Sequence, residues 1–153
     1  MPADLAARNI RTIDRFLELM AKAIFASGFS WMVVDKRWPE IRQAFRKFSA
    51  PTVVAFTDDD LRSLGAEPGV IANQQKIEAV RQAAGLLIDR KAEFGSIGRW
   101  LDSMAGFDEQ QRALRTARFV GPFGAYFVLS VAGFEVPDYE TWRLEYAPTM
   151  RAV

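Results

Sequence analysis

Neither cysteine nor histidine occurs among the 153 residues, and these two absences exclude a good deal of chemistry. Without them there is no disulfide framework, no thiolate nucleophile and no imidazole base, and zinc has no usual nitrogen or sulfur ligand. Catalysis of the Ser–His or Cys–His kind is excluded. Whatever chemistry the chain performs must come from carboxylates, hydroxyls, lysine, arginine, aromatic rings or the backbone. Absence of disulfides fits a reducing cytoplasm, which is the compartment expected here. Large net charge is also lacking: the formal value is +1, so the chain as a whole is not a basic nucleic-acid binder. No alternating strand pattern, internal repeat or low-complexity tract is present. The N-terminus has no basic flank followed by an apolar run, so no signal peptide is expected. No apolar run is long enough to cross a bilayer.

What is present is an ordinary globular balance, with 50% apolar and 25% charged residues, which argues against disorder and for a real hydrophobic core. Charge is unevenly placed. Lys36 to Lys47 holds five basic residues and one acid. Arg112, Arg115 and Arg118 recur at a spacing of three, which on a helix would make one face positive. Such runs also occur simply as solvated faces.

Periodicity predicts helices throughout. From about Asn9 to Ala26, Ile13, Phe16, Leu17, Met20 and Ile24 share one face. Ser27-Gly28-Phe29-Ser30 breaks that helix. A short turn at Trp31 to Val34 follows, and Pro39 is expected to open a second helix with Ile41, Phe45 and Phe48 inward. Thr57 caps the next segment, with acids at its positive end. Asn73 begins a long helix carrying Ile77, Val80, Ala84, Leu87 and Ile88 inward. Ser96 and Asp108 are expected to cap two more, the second ending near Arg118. Val120-Gly121-Pro122 supplies a tight turn, and Phe123 to Ala132 is apolar on nearly every face, which predicts a central helix. Asp138 looks like the N-cap of a last helix, Tyr139 to Tyr146. The expected architecture is one all-α domain spanning residues 1–153.

Several of these stretches together resemble the DNA-3-methyladenine glycosylase I family. They are Gly28-Phe29-Ser30-Trp31, Lys36-Arg37-Trp38, the pair Phe45 and Phe48, the run Gly69 to Val80 (GVIANQQKIEAV), and Phe119-Val120-Gly121 ahead of an aromatic-rich helix. The likeness covers roughly residues 12 to 140. It implies a helix-hairpin-helix DNA glycosylase fold, with the hairpin motif at about 108–133. It also implies hydrolysis of the N-glycosidic bond of an alkylated purine such as 3-methyladenine, flipped out of double-stranded DNA. No cofactor, metal or membrane is expected for this chain, and it is expected to act as a monomer.

By this resemblance Phe29 is the DNA wedge and Trp31 stacks on the base, whose positive charge an indole face attracts. Arg118, Phe119, Val120, Gly121, Phe123 and Gly124 form the phosphate-binding hairpin, with Phe119 in place of the first hairpin glycine. Backbone N–H groups at the turn would hold one phosphate, and Gly121 and Gly124 would let it approach. Read without the resemblance, the turn is only a tight connection, and Phe29 and Trp31 are core aromatics at a helix break. Asp138 follows the second hairpin helix, where the wider superfamily carries a catalytic aspartate; a plain helix cap is the preferred reading of it. No lysine is expected beside the hairpin, so the implied enzyme is monofunctional.

Two departures stand out. The zinc ligands of the family's type members are absent, with Tyr139 and Arg143 near the positions of the C-terminal pair. The family's base-recognising glutamate would fall at position 23, in the base pocket, and the residue there is Ala23. Glu18, the nearest acid, is more than a helical turn away. A catalytically inactive or altered relative that recognises DNA without excising a base is therefore the alternative. A helical interaction domain with no nucleic-acid role is a third reading.

Overall fold

The structure is a computed structural model that describes residues 12–151, with side chains described as far as residue 145. The expected start of the first helix, residues 9–11, lies outside the described residues. Among the described residues every regular element is helical. In chain order they are α1 (Ile13–Ala26), α2 (Trp31–Ala44), a 3-10 turn (Arg46–Phe48), α3 (Ala50–Val54), α4 (Asp58–Ala66), α5 (Gln74–Phe94), α6 (Ile97–Asp102), α7 (Phe107–Leu114), α8 (Pro122–Val131) and α9 (Tyr139–Arg151).

The central helix is α1. Phe16, Leu17, Met20, Ala21, Ile24 and Phe25 are fully buried, because α1 is packed by α5 on one side and α8 on another, with α2 across it. Helix α8 is apolar all round, as its sequence suggests, but it is not central. Gly124, Ala125, Val128 and Leu129 face the core, while Phe123, Tyr126 and Phe127 are only half-buried. Its outer face is covered by rings from α2 and α9 instead of by the core. Helix α5 starts at an Asn73 cap whose side chain accepts the Lys76 N–H at 3.0 Å, and its inward face carries Ile77, Val80, Ala84 and Leu87.

The second helix differs from the expected pair of segments. Trp31 to Ala44 is continuous and Pro39 lies inside it. A proline costs the helix the bond to the carbonyl four residues earlier; here that residue is Asp35, which is exposed, so its carbonyl can be solvated. Phe48 is buried as expected, but not on a helix. Arg46, Lys47 and Phe48 all adopt positive φ, at 55°, 57° and 57°, a left-handed turn costing about 1–2 kcal/mol per residue. Aromatic stacking offsets that cost: the Phe48 ring lies 5.3 Å from both Phe45 and Trp38, each pair within 8° of parallel. The Ala50 N–H then donates to Asp14 Oδ1 at 2.9 Å, tying the turn to α1.

Glu18 fixes α2 onto α1. This buried carboxylate accepts bonds of 2.8 Å from Trp38 Nε1 and 2.8 Å from Arg15 Nη1, and Arg42 Nε lies 3.3 Å away. A buried acid so fully satisfied is a structural fastener.

Candidate nucleic-acid interface

The loop between α1 and α2 is sharply defined. Gly28 turns the chain with φ of +63°, a conformation that would strain an L side chain. Ser30 then caps α2, its hydroxyl accepting the Val33 N–H at 3.2 Å. Between them Phe29 is 47% exposed, so it is not a core aromatic. Trp31, one residue into α2, is half-buried. Its indole meets the edges of Phe123 at 5.3 Å and Phe127 at 4.9 Å between ring centroids. The loop and the second hairpin helix are therefore in direct contact.

The hairpin itself runs from α7 to α8. Helix α7 starts from Gly106, not Asp108, and ends at Leu114, short of the expected limit. Only Arg112 of the three spaced arginines is helical, so they do not form one helical stripe. Arg112 Nε donates to the Asp108 carbonyl, Arg115 reaches Gln111, and Arg118 reaches Gln75 Oε1 at 3.0 Å. Phe119 holds φ of +69° at the position where a hairpin glycine is expected. The Arg118 guanidinium lies over its ring at 4.9 Å.

Gly121 is the N-cap of α8, with Pro122 in the first turn and no side chain capping the helix. A side chain on Gly121 would meet nothing within 4 Å, so the front of the turn is open. The N–H groups of Phe123 and Gly124, in the first turn of a helix, have no partner within it. Gly124 also has a packing role. A Cβ there would face Ala23 at 3.1 Å and Val120 at 3.7 Å; its missing side chain makes room for α1. Val120 is buried in the core.

One residue of this region escapes a motif-by-motif reading. Lys76 reaches the hairpin from α5. Its Nζ is 5.9 Å from the Phe119 ring centroid and 5.6 Å from that of Phe29. A lysine does stand beside the hairpin, contrary to expectation, because the first turn of α5 brings Lys76 to it. The residue is only 6% exposed, and Nζ donates to the carbonyls of Phe25 at 2.9 Å and Ser27 at 2.7 Å. Burial pulls its pKa below the ordinary lysine value. The fourth place of Asn73-Gln74-Gln75-Lys76 was visible in the sequence; its partners, some fifty residues upstream, were not.

Ala23 is 2% exposed and packs against α8. Glu18 does not substitute for the absent acid, since Oε1 is committed to Arg15 and Oε2 to Trp38 and Arg42 of α2. Asp138 is exposed and caps α9, Oδ2 accepting the Thr141 N–H at 3.3 Å. Its backbone carbonyl accepts from Trp142 at 2.9 Å. Next to it, Tyr126 Oη donates to the Pro137 carbonyl at 2.7 Å. The Tyr126 pKa is raised, first by burial and then by the charges of Asp138 and Tyr139.

Among the described residues no group of side chains near α9 could hold a metal ion. Tyr139 and Arg143 supply no zinc-binding set: Arg143 pairs with Glu140, and Tyr139 stacks among rings. Aromatic packing does the tying. Trp142, 1% exposed, lies 4.6 Å from Tyr126, 5.8 Å from Tyr139 and 6.2 Å from Phe123. A contiguous set of rings thus runs from Trp31 through Phe123 to α9. A separate groove of about 760 Å³ between α2 and α4, lined by Glu40, Arg46, Asp60 and Glu67 among others, includes none of these residues. Among the described residues no helix is long and apolar enough to cross a membrane.

Comparison with known proteins agrees with this fold. The fold is similar to a solved 3-methyladenine DNA glycosylase I, a tyrosine-to-phenylalanine variant in complex with 3-methyladenine. That match has a TM-score of 0.72 and 19% identity over 87% of this chain and 87% of the other. The Staphylococcus aureus 3-methyladenine DNA glycosylase I matches with a TM-score of 0.68 and 19% identity over 87% and 86% of the two chains. A solution structure of a 3-methyladenine DNA glycosylase I matches at 0.69 and 18% identity, over 88% and 87%. Residues 9–121 match the methyladenine glycosylase family, a span that holds the Phe29–Trp31 loop, the Lys76 helix and the hairpin turn, and the chain belongs to that family.

Proposed function

We propose that this protein is a monofunctional DNA glycosylase that releases alkylated purines, such as 3-methyladenine, from duplex DNA. The observation that carries the reading is the junction of the 28–31 loop with the hairpin. An exposed Phe29, an indole two residues on, and an uncapped helix N-terminus meet in one place. Each matches a physical need of the reaction. Extrusion of a base leaves a gap, which Phe29 fills. The extruded cationic base stacks on Trp31. A phosphate on the N–H groups of Phe123 and Gly124, with Arg118 nearby, fixes the strand.

Chemistry is then modest. The bond from C1′ to the base breaks with its electron pair going to the base, which leaves neutral because it began as a cation. No general acid is needed. Water adds to the oxocarbenium-like sugar and gives up a proton to solvent. Asp138 is the carboxylate assigned to stabilise that positive sugar; its Oδ1 makes no hydrogen bond among the described residues while Oδ2 caps α9. The Lys76 amine, held by two carbonyls, is not offered to the sugar, in keeping with hydrolysis without strand cleavage.

Release of 3-methyladenine from methylated duplex DNA, followed by chromatography, tests the reading. Free base and an alkali-labile abasic site are the expected products. The burial of Ala23 against α8 favours one alternative, a relative that binds DNA without excision. That alternative gains if no methylated base is released while salt-sensitive duplex binding persists.

A further inference from the structure

We propose that Lys76 is a positioning residue that sets the wedge loop and the phosphate-binding turn in one register, so that DNA meets both together. This inference rests on the glycosylase reading above. A lysine in the first turn of a helix faces the positive end of the helix dipole, where a cation is disfavoured. Lys76 is there nonetheless, buried, and among the described residues no carboxylate pairs with it. Its charge is met by the carbonyls of Phe25 and Ser27, which frame the end of α1, and by two rings. One ring is Phe29, at the tip of the wedge loop; the other is Phe119, in the turn.

The pairing also accounts for Phe119. Positive φ at a non-glycine residue is strained, and glycine would relieve it, yet a ring here gives the ammonium a second face. Arg118 on the other side of that ring bonds to Gln75, the neighbour of Lys76. The α5 N-terminus therefore holds residues 118 and 119 of the turn and residues 25 to 29 of the loop at once. Displacing either loop disturbs the same ammonium group.

The experiment measures affinity for duplex DNA carrying a tetrahydrofuran abasic-site analogue against plain duplex, for Lys76→Met, Phe119→Gly, Phe29→Ala and the combinations of Phe29→Ala with each. Wild type should prefer the abasic duplex, and Phe29→Ala should reduce that preference. Lys76→Met and Phe119→Gly should each reduce it at least about fivefold, and Phe29→Ala should then add little. Phe119→Gly is the decisive variant, because glycine adopts the positive φ of the turn without strain while the ring that faces Lys76 is removed; loss of the Phe29→Ala effect in that background is a readout that a change in stability alone would not move. Should Lys76→Met fail to fold, Phe119→Gly alone decides. The proposal is overturned if Phe119→Gly keeps the wild-type preference and the full effect of Phe29→Ala. If wild type itself shows no preference for the abasic duplex, the glycosylase reading has failed and the inference falls with it.

Discussion

The Cβ of Ala23 stands 3.1 Å from the point where a side chain on Gly124 would begin. Helices α1 and α8 are thus in contact through a methyl group and bare backbone, at the place where the family likeness calls for a carboxylate. The absent acid and the glycine opposite it form one packing solution. Restoring only one partner should be damaging. Gly124→Ala is expected to cost about 1–3 kcal/mol through overpacking. Ala23→Glu buries a carboxylate without a cation and should cost about 3–5 kcal/mol. Thermal unfolding would read these as falls of about 2–4 °C per kcal/mol. Excision by Ala23→Glu should not exceed wild type; a gain in 3-methyladenine release would show that a pocket remains at this position.

Trp142 replaces covalent or metal cross-linking as the anchor of the last helix. Its indole is enclosed by Tyr126, Phe123 and Tyr139, so Trp142→Ala should cost about 3–5 kcal/mol. Trp142→Phe should recover much of that loss. Denaturant titration of both variants, with and without a chelator, checks the point. Chelation should leave each midpoint unchanged, since the packing supplies the tie.

Local signals in the chain were readable where one segment decides its own structure. Thr57, Asn73, Ser96 and Asp138 cap helices as their positions imply, the first in a full capping box with Asp60. Pro39 misleads because a proline inside a helix looks like one at its start; the helix runs through it from Trp31 to Ala44, with the exposed Asp35 four residues earlier. The arginines at 112, 115 and 118 kept helical spacing past the end of α7, since spacing alone does not reveal where a helix stops. Long-range partnerships stayed hidden. Nothing near Lys76 in sequence points to Phe25, Phe29 or Phe119, and an all-apolar α8 gives no sign that its outer face is covered by Trp31 and Trp142.

Tyr126 should make stability fall at alkaline pH. Its pKa is raised in the folded chain by burial and by the nearby Asp138 and Tyr139, whereas the unfolded tyrosine ionises near pH 10. Above that pH the unfolded state sheds the proton first, so stability is lost as pH rises; below it the contribution is complete. Lys76 acts in the opposite sense, because its folded pKa is lowered and stability recovers as pH climbs towards the unfolded lysine value. Comparing wild type with Tyr126→Phe isolates the tyrosine. At pH 8 the variant should be less stable by about 1 kcal/mol for the lost bond to Pro137. By pH 11 the gap should narrow or reverse in urea titrations.

Asp138 serves two assignments that one pair of substitutions separates. As a cap it accepts the Thr141 N–H, and asparagine fills that role about as well. As the proposed stabiliser of a cationic sugar it would act through its charge, which asparagine lacks. Asp138→Asn should therefore keep the wild-type melting temperature but lose on the order of a hundredfold to a thousandfold in single-turnover excision, the scale of an oriented electrostatic contact in a transition state. Asp138→Ala should lose the same rate and about 1 kcal/mol of stability as well. Because the leaving base is already cationic, neither change should abolish release. Wild-type excision by Asp138→Asn would leave Asp138 as a helix cap alone, and the sugar cation would then be stabilised without it.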